Sequence, residues 1–435
     1  MSSEPFRWSP ALETLPRERL RALQSERLAR GVQRAYARVP RVRAAMDAAG
    51  VKPEAIRSVA DLPLLPFTTK DDLRASYPFG TFAVPREQVV RLHASSGTTG
   101  KPTVVGYTRA DLDLWTDLMA RSLAAAGVRP GDLTHNAYGY GLFTGGLGFH
   151  QGAERLGCTV TPASSGQTER HVLLLHDLGA RVLFATPSYA LTLAEVAERE
   201  GVPLEKGPLA VGVFGAEPWS EAMRAELDRR LGIRSIDMYG LSEILGPGVA
   251  VECAEARSGL HGWEDCFVFE VIDPDTGAPL PMGETGELVI TTLVKEAQPM
   301  LRYRTRDVTR LSDEPCPCGR THVRILRVTG RNDDMLIVRG VNVYPSQVEA
   351  ALVGLAGLAP FYRLILQRDG SLDVLTVEVE CLPHVPPDAH ERLAAAVGAE
   401  LRARVGLTAR VVVLPPGELP RSEGKAVRVR DLRKL

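Results

Sequence analysis

Across residues 11–50, Leu20, Leu23, Leu28, Val32 and Tyr36 recur every three to five residues among charged neighbours, a rhythm that predicts helices. Prolines in VADLPLLPFTTKDDLR then stop one helix, and Thr68 or Thr69 caps another. From Val89 the pattern changes to short β-branched runs alternating with helices. These are VVRLHAS, TVVGYT, a helix opened by Thr108 with Asp111 three residues on, then VLFATP, LAVGVFGAEP and IDMYGLSE. That alternation predicts an α/β core with a substantially parallel sheet. Over residues 267–310 strand-like pieces dominate, divided by turn signals at 273–277 and 283–286, and predict a β-rich subdomain. After GRNDD come MLIVRGVNVYP, a helix, the alternating TVEVE, a proline-opened helix around 388–404 and ARVVVLPP. They describe a small α+β unit of about a hundred residues.

At 435 residues, 44% of them apolar, the chain has material for two or three domains. Its 52 basic and 53 acidic side chains nearly cancel, which disfavours a nucleic-acid partner or an anionic membrane surface. The N-terminal stretch lacks the layout of a secretory signal, and no run of eighteen apolar residues occurs, so a cytoplasmic protein is expected. Six cysteines are too few for a disulfide scaffold of this length.

The stretch HASSGTTGKPT (93–103) is the kind of loop that wraps phosphate. It is not a Walker motif, because Ser95 and Pro102 stand where a glycine and a Ser or Thr are needed. Joining two strand-like runs, it offers hydroxyls, backbone N–H groups and Lys101 in place of a helix terminus. Alone it equally describes a mobile hairpin. Three distant segments add to it: DMYGLSE (237–243), with Tyr239 for stacking a base and Glu243 for a magnesium ion; YRTRDV (303–308), with Asp307 for ribose hydroxyls; and PRSEGKAVR (420–428), with Lys425 in a glycine-rich loop.

Together, in this order, the four segments resemble the adenylate-forming superfamily of acyl-CoA synthetases, luciferase and nonribosomal adenylation domains. AYGYGLFTGGLGFHQGAERLG (137–157), FGAEPWS, YGLSEILGPGVA, GRNDDMLIVRGVNVYPSQVE and PRSEGKAVRV look like the phenylacetate-CoA ligase family. The resemblance implies a large N-terminal α/β domain with a β-rich subdomain (1–330) and a small mobile α+β lid (331–435). It implies ATP-dependent, AMP-forming ligation of an aromatic acid, phenylacetate first, to coenzyme A through an acyl adenylate, in a homodimer. Other expected outcomes are a benzoate-, anthranilate- or hydroxylated-acid ligase, or an enzyme with a carrier-protein or amine acceptor. A non-catalytic nucleotide-binding regulator is a further reading, against which the joint presence of Lys101, Glu243, Asp307 and Lys425 argues.

The same resemblance implies residue roles. Ser95, Ser96, Gly97, Thr98, Thr99, Gly100 and Lys101 cradle the β and γ phosphates, and Glu243 holds magnesium. Adenine lies against Tyr239 and Gly215, Ala216, Glu217 and Pro218, with Asp237, Met238, Gly240 and Ser242 completing the nucleotide site. Asp307 takes the ribose, Arg331 a ribose or phosphate oxygen, and Asp333 is the hinge. Lys425 partners the attacking carboxylate in adenylation, then yields to a pantetheine tunnel offered by Gly340, Val341 and Tyr344. Tyr138, Tyr140, Phe143, Ala216, Ile244 and Pro247 match the aryl pocket, the glycines between 139 and 148 suggest a slot for a flat ring, and Lys70 is a further phosphate contact.

Cys316-Pro-Cys318-Gly, preceded by Cys253 and His261, offers three thiolates and one imidazole, a donor set that satisfies tetrahedral zinc. His322 and Cys266 are alternative ligands. A structural staple is expected there.

Overall fold

The computed structural model describes residues 5–95, 102–332, 334–338, 341–369 and 372–434. Helix Arg17–Arg38 buries Leu20, Leu28, Val32 and Ala35 on one face. Part of that face packs with Met46, Ile56, Leu62, Leu65, Leu293 and Leu301, so the apolar rhythm near the N-terminus marks a true interface. Thr69, not Thr68, caps helix Lys70–Ala75 in a reciprocal box with Asp72, and Thr108 does the same with Asp111 for helix Arg109–Ala125.

The core is a nine-stranded sheet. Five strands are parallel, in the order Thr159–Thr161, Leu133–Asn136, Val182–Ala185, Val211–Gly215 and Arg234–Leu241. The sheet then continues antiparallel through Gly246–Glu252, Leu260–Gly262, Arg324–Ile325 and Leu311–Ser312. The expected parallel core is therefore extended by an antiparallel wing, which alternation with helices could not foretell. Strands Phe267–Ile272, Gly286–Thr292, Tyr303–Thr309 and Gly330–Arg331 form the β-rich part as a separate antiparallel sheet.

The glycine-rich stretch turns out to be largely helical. Gly145–Leu156 is a helix in which a Cβ on Gly148 would lie 2.6 Å from the Trp115 ring, and one on Gly152 2.3 Å from the Met119 Cβ. These positions let two helices touch, and Gly146 abuts the Gly139 carbonyl, so Gly146 and Gly148 meet protein atoms where a slot for a ring was expected, whereas a Cβ on Gly141 would meet nothing within 4 Å.

Toward the C-terminus, strands Leu358–Asp369 and Leu372–Cys381 pair antiparallel and are flanked in parallel by Val429–Asp431 and Arg410–Leu414. Helices Pro345–Leu352 and His390–Val405 accompany this sheet, and Val348, Leu364, Leu366, Val377, Val397 and Leu401 share a core of their own. Among the described residues no helix is long and apolar enough to cross a membrane.

One buried polar contact makes the fold sensitive to acid. His135 Nε2 lies 2.8 Å from His171 Nδ1, so one ring donates, the other accepts, and both are neutral. Burial and the neighbouring ring push His135 down to about 3, and burial lowers His171. Unfolded histidines titrate near ~6.5, so on acidification the unfolded chain binds protons first. The stability of the neutral pair is thus fully present above about pH 6.5 and lost progressively below it, each ring adding a slope of up to about 1.4 kcal/mol per pH unit. Urea titrations from pH 8 to pH 4 are expected to show a shallower acid decline in the double variant His135→Gln/His171→Gln than in the parent chain.

Candidate active site

The C-terminal ends of parallel strands point at one cleft, the usual ligand side of such sheets. Thr186 follows the strand ending at Ala185 and caps helix Pro187–Arg199. Ala216 follows Gly215 in a left-handed conformation (φ 73°), turning the chain sharply at the strand end. Tyr239 and Gly240 lie where strand Arg234–Leu241 loses register with its neighbour Gly246–Glu252. A Cβ on Gly240 would sit 2.0 Å from the Gly246 carbonyl oxygen, so only glycine fits.

The Tyr239 hydroxyl donates to Asp307 Oδ2 at 2.5 Å. Burial and that carboxylate keep the phenol protonated. Arg331, paired in register opposite Asp307, brings its guanidinium to 3.7 Å from the same carboxylate. The structure thus assembles three residues that stand far apart in sequence. Glu243, buried just past the same strand, has the Lys70 ammonium at 3.6 Å, so Lys70 is a cation of the cleft and not a freely solvated side chain. Ser242 is buried with its hydroxyl 3.1 Å from that of Thr144.

Ser95 ends strand Arg91–Ser95, which pairs with Thr103–Tyr107, and its hydroxyl has no partner among the described residues. Ser96, Gly97, Thr98, Thr99, Gly100, Lys101, Asp333 and Gly340 lie outside the described residues. Val341 begins a short strand that pairs with Leu336–Val338, and the Tyr344 ring rests on Gly330.

Lys425 enters the cleft from the C-terminal part, its ammonium 5.4 Å from the centre of the Phe143 ring. It stays open to solvent, yet the protein mass around it lowers its pKa. Glu217 and Glu243 oppose that shift, and Arg331 and Lys70 add to it. The loop is tied on both sides of the lysine: the Thr186 hydroxyl donates to Gly424 O at 2.9 Å, and Ala426 N–H donates to Glu217 Oε2 at 2.8 Å.

Several residues expected at the site also make packing or hydrogen-bond contacts within the protein. Tyr138 donates its hydroxyl to Ala185 O (2.6 Å) and stacks on Phe149, and Ile244 and Met238 lie in the core. Tyr140 is tied to Asn136 and His150, and the Pro247 carbonyl accepts from Trp115. Asp237 is pushed up to about 6 by burial and by Glu252, with Arg224 pulling the other way. Pro218 lies in the turn between Glu217 and the helix capped by Ser220.

Lys295 went unread in the sequence. It is buried, donates to Glu243 O at 3.2 Å and lies 5.2 Å from the centre of the Tyr107 ring. Burial brings it down to about 8 against the pull of Asp111 and Glu243. Its only signal was a lysine in an otherwise strand-like stretch.

Cys253, His261, Cys316 and Cys318 converge: their ligand atoms all lie within 4.8 Å of one another, and all four residues are buried. Cys253 Sγ is 3.7 Å from Cys316 Sγ, and Cys318 Sγ is 3.3 Å from His261 Nε2. A tetrahedron with metal–sulfur bonds of ~2.3 Å has edges of about 3.8 Å, so this donor set approaches the spacing of a tetrahedral zinc site, with its widest separation about 1 Å too long. The alternatives fall away. His322 accepts from Glu264 N–H at Nδ1 and meets Leu12 O at Nε2, and Cys266 donates to Asp265.

The AMP-binding enzyme family matches residues 47–294, and the AMP-binding enzyme C-terminal domain matches residues 340–433. The chain is 56% identical to the phenylacetate-coenzyme A ligase of Thermus thermophilus, over 98% of this chain and 100% of that one. It is 53% identical to the phenylacetate-coenzyme A ligase of Escherichia coli K12, over 98% and 97%. Among solved structures, 2-hydroxyisobutyryl-CoA ligase in the postadenylation state superposes with a TM-score of 0.93 at 30% identity, covering 98% of this chain and 92% of that one. The same enzyme with CoA in the thioesterification state gives 0.73 at 31% identity and the same coverage.

Replacing Gly240 by alanine is expected to lower stability by about 3 kcal/mol, because backbone and not a flexible side chain blocks the methyl group. Denaturant unfolding checks this, and a midpoint unchanged from the parent would contradict the close approach.

Proposed function

This chain belongs to the AMP-binding enzyme family, and from that premise we propose that it joins phenylacetate to coenzyme A at the expense of ATP, releasing AMP and pyrophosphate. The observation that carries the substrate is near-full-length identity of 56% to a phenylacetate-coenzyme A ligase. In the first step a carboxylate oxygen of the acid attacks the α-phosphorus and pyrophosphate leaves. In the second, the CoA sulfur attacks the acyl carbon, the acyl–phosphate bond breaks, AMP leaves and the thiol proton is released.

Negative charge gathers in the first step, and the cleft answers it with cations. We assign Lys425 to the attacking carboxylate and bridging oxygens, and Lys101 with the hydroxyls of Ser95, Ser96, Thr98 and Thr99 to the leaving phosphates. Tyr239 faces the base, its ring orientation fixed by the bond to Asp307, the carboxylate assigned to the ribose. Glu243 would hold magnesium: a single hard carboxylate leaves most of an octahedral shell to water and phosphate oxygens, as that ion requires. Bound there, the ion would neutralise the departing pyrophosphate.

The likeness to the postadenylation state at 0.93 against 0.73 supports reading this arrangement as the one in which Lys425 has been delivered. Residues 331–435 would then rotate about Asp333, withdrawing Lys425 and presenting Gly340, Val341 and Tyr344 to pantetheine. Phe143, Tyr140, Ala216 and Pro247 remain the candidates for contact with the aryl group. We read the protein as a cytoplasmic homodimer, which light scattering on the purified chain checks.

Zinc belongs, in this reading, to Cys253, His261, Cys316 and Cys318, as a structural ion remote from the chemistry. Its loop holds the N-terminal segment: Arg7 donates to Cys318 O at 2.7 Å and Arg320 pairs with Glu13 at 2.8 Å.

Pyrophosphate release across a panel of aromatic acids is expected to give the highest kcat/KM for phenylacetate, with thioester formed only when CoA is added. Lys425→Ala is expected to cripple adenylation by about 100-fold or more while sparing thioesterification of supplied phenylacetyl adenylate. Equal loss in both half-reactions would refute its role. Protein purified without chelator is expected to hold about one zinc per chain. Cys318→Ser should lose the metal and several degrees of thermal stability, whereas metal analysis finding none in the parent would sink the assignment.

A further inference from the structure

The sequence pointed Glu217 at the nucleotide, but its carboxylate is engaged elsewhere. Oε1 accepts from Ser188 N–H at 2.8 Å, in the first turn of helix Pro187–Arg199, and Oε2 accepts from Ala426 N–H at 2.8 Å. One side chain therefore joins a helix N-terminus of the large part to the residue after Lys425. The N-cap of the same helix, Thr186, grips the residue before it. Its hydroxyl accepts from Tyr189 N–H at 3.2 Å and donates to Gly424 O at 2.9 Å, using both capacities of the group. The peptide on either side of Lys425 is thus held by one helix start. A third contact continues the pattern, with Arg428 donating to Ser188 Oγ at 3.0 Å.

We propose that Glu217 is a positioning residue for adenylation: with Thr186 it clamps the backbone on both sides of Lys425 and so places the ammonium at the reacting carboxylate, without itself contacting ATP. The proposal rests on Lys425 acting in adenylation. Two features explain why this residue can do the work. The left-handed turn at Ala216 directs the chain away from the strand immediately before Glu217. A carboxylate at a helix start is also stabilised there by the free N–H groups and the dipole, whether or not the loop is docked. The bond to Ser188 therefore keeps Glu217 in place when the loop departs, and the bond to Ala426 is remade when it returns.

The test measures the two half-reactions separately, for the parent, Glu217→Ala, Glu217→Gln and Lys425→Ala. Adenylation is followed by pyrophosphate release with hydroxylamine as acceptor, and thioesterification by thioester formed from supplied phenylacetyl adenylate and CoA. Glu217→Ala is expected to reduce adenylation kcat by about 100-fold, the scale of a misplacement near 1 Å. KM for ATP should stay within about twofold, and thioesterification should match the parent. Glu217→Gln, which keeps an acceptor oxygen, is expected to fall between the two. A raised KM for ATP with kcat intact would make Glu217 a nucleotide contact and overturn the proposal. Parallel loss in both half-reactions would overturn it in favour of a purely structural role. Intact adenylation in Glu217→Ala overturns it alone if Lys425→Ala is crippled, whereas intact adenylation in Lys425→Ala removes the reading beneath it.

Discussion

In the proposed function Lys425 acts once and then leaves, which requires that it be held by bonds that water can replace, and the junction between the two parts of this chain is built from such bonds. Arg421 reaches Glu195 at 2.6 Å, Arg428 reaches Ser188 Oγ, and Glu349 accepts from Ser220 N–H at 2.8 Å. Each of these is polar and directional, while most apolar side chains of the C-terminal part pack into its own core and Phe361 packs against the large part. Separation also strands few buried charges. Glu380 keeps Arg421 and the Gly417 and Leu419 amides, and Glu349 keeps Arg428 and the Tyr362 hydroxyl, all within the C-terminal part. Since an unpaired buried charge is among the costliest defects a protein can carry, this local pairing keeps a swing between two docked states affordable.

The opposite edge of the large sheet is built to stay put. Glu13 and Arg320 have no exposed side-chain surface and pair at 2.8 Å, and Glu13 also accepts from Ser9 N–H. Breaking such a pair leaves a charge without water, so the N-terminal segment has no inexpensive way to lift off. Thr321 and His322 add bonds to Leu15 O and Leu12 O. The loop that makes these contacts follows the edge strand Leu311–Ser312 and carries two of the clustered cysteines. Edge protection, N-terminal docking and the Cys/His cluster are therefore one structural unit.

Local chemistry made much of this legible from sequence. Thr108 with Asp111 and the alternation of strand and helix are short-range patterns, and the Cys/His set, though spread along the chain, is legible from its donor types; each appears in the structure. What stayed hidden depends on partners far along the chain. The antiparallel wing is set by pairings such as Leu260–Gly262 with Arg324–Ile325, across about sixty residues that no local window spans. The glycines at 146 and 148 were legible as sites of close approach, but what approaches is Gly139 and Trp115, and the contact of Gly152 with Met119 carried no such signal. Glu217 was expected beside the nucleotide, and its bonds to Ala426 and Ser188 were hidden because only the folded chain brings those residues to it. Lys295 carried no motif at all, and its environment is entirely tertiary.

Charge completes the picture. Lys70 and Lys425 lie close enough to Glu243 to feel it, and Lys295 binds its carbonyl. Arg331 and Lys70 disfavour the charged form of Lys425, so the cations of the cleft repel one another as well as attract the carboxylates. Glu217 and Glu243 offset that repulsion in the arrangement seen here, and in the proposed reaction a triphosphate placed among the cations would relieve it further. The departure of pyrophosphate restores it. Lys425 sits on a loop of the C-terminal part, whereas Lys70 belongs to the large part, so in the proposed reaction their repulsion would favour withdrawal of Lys425 once pyrophosphate has left.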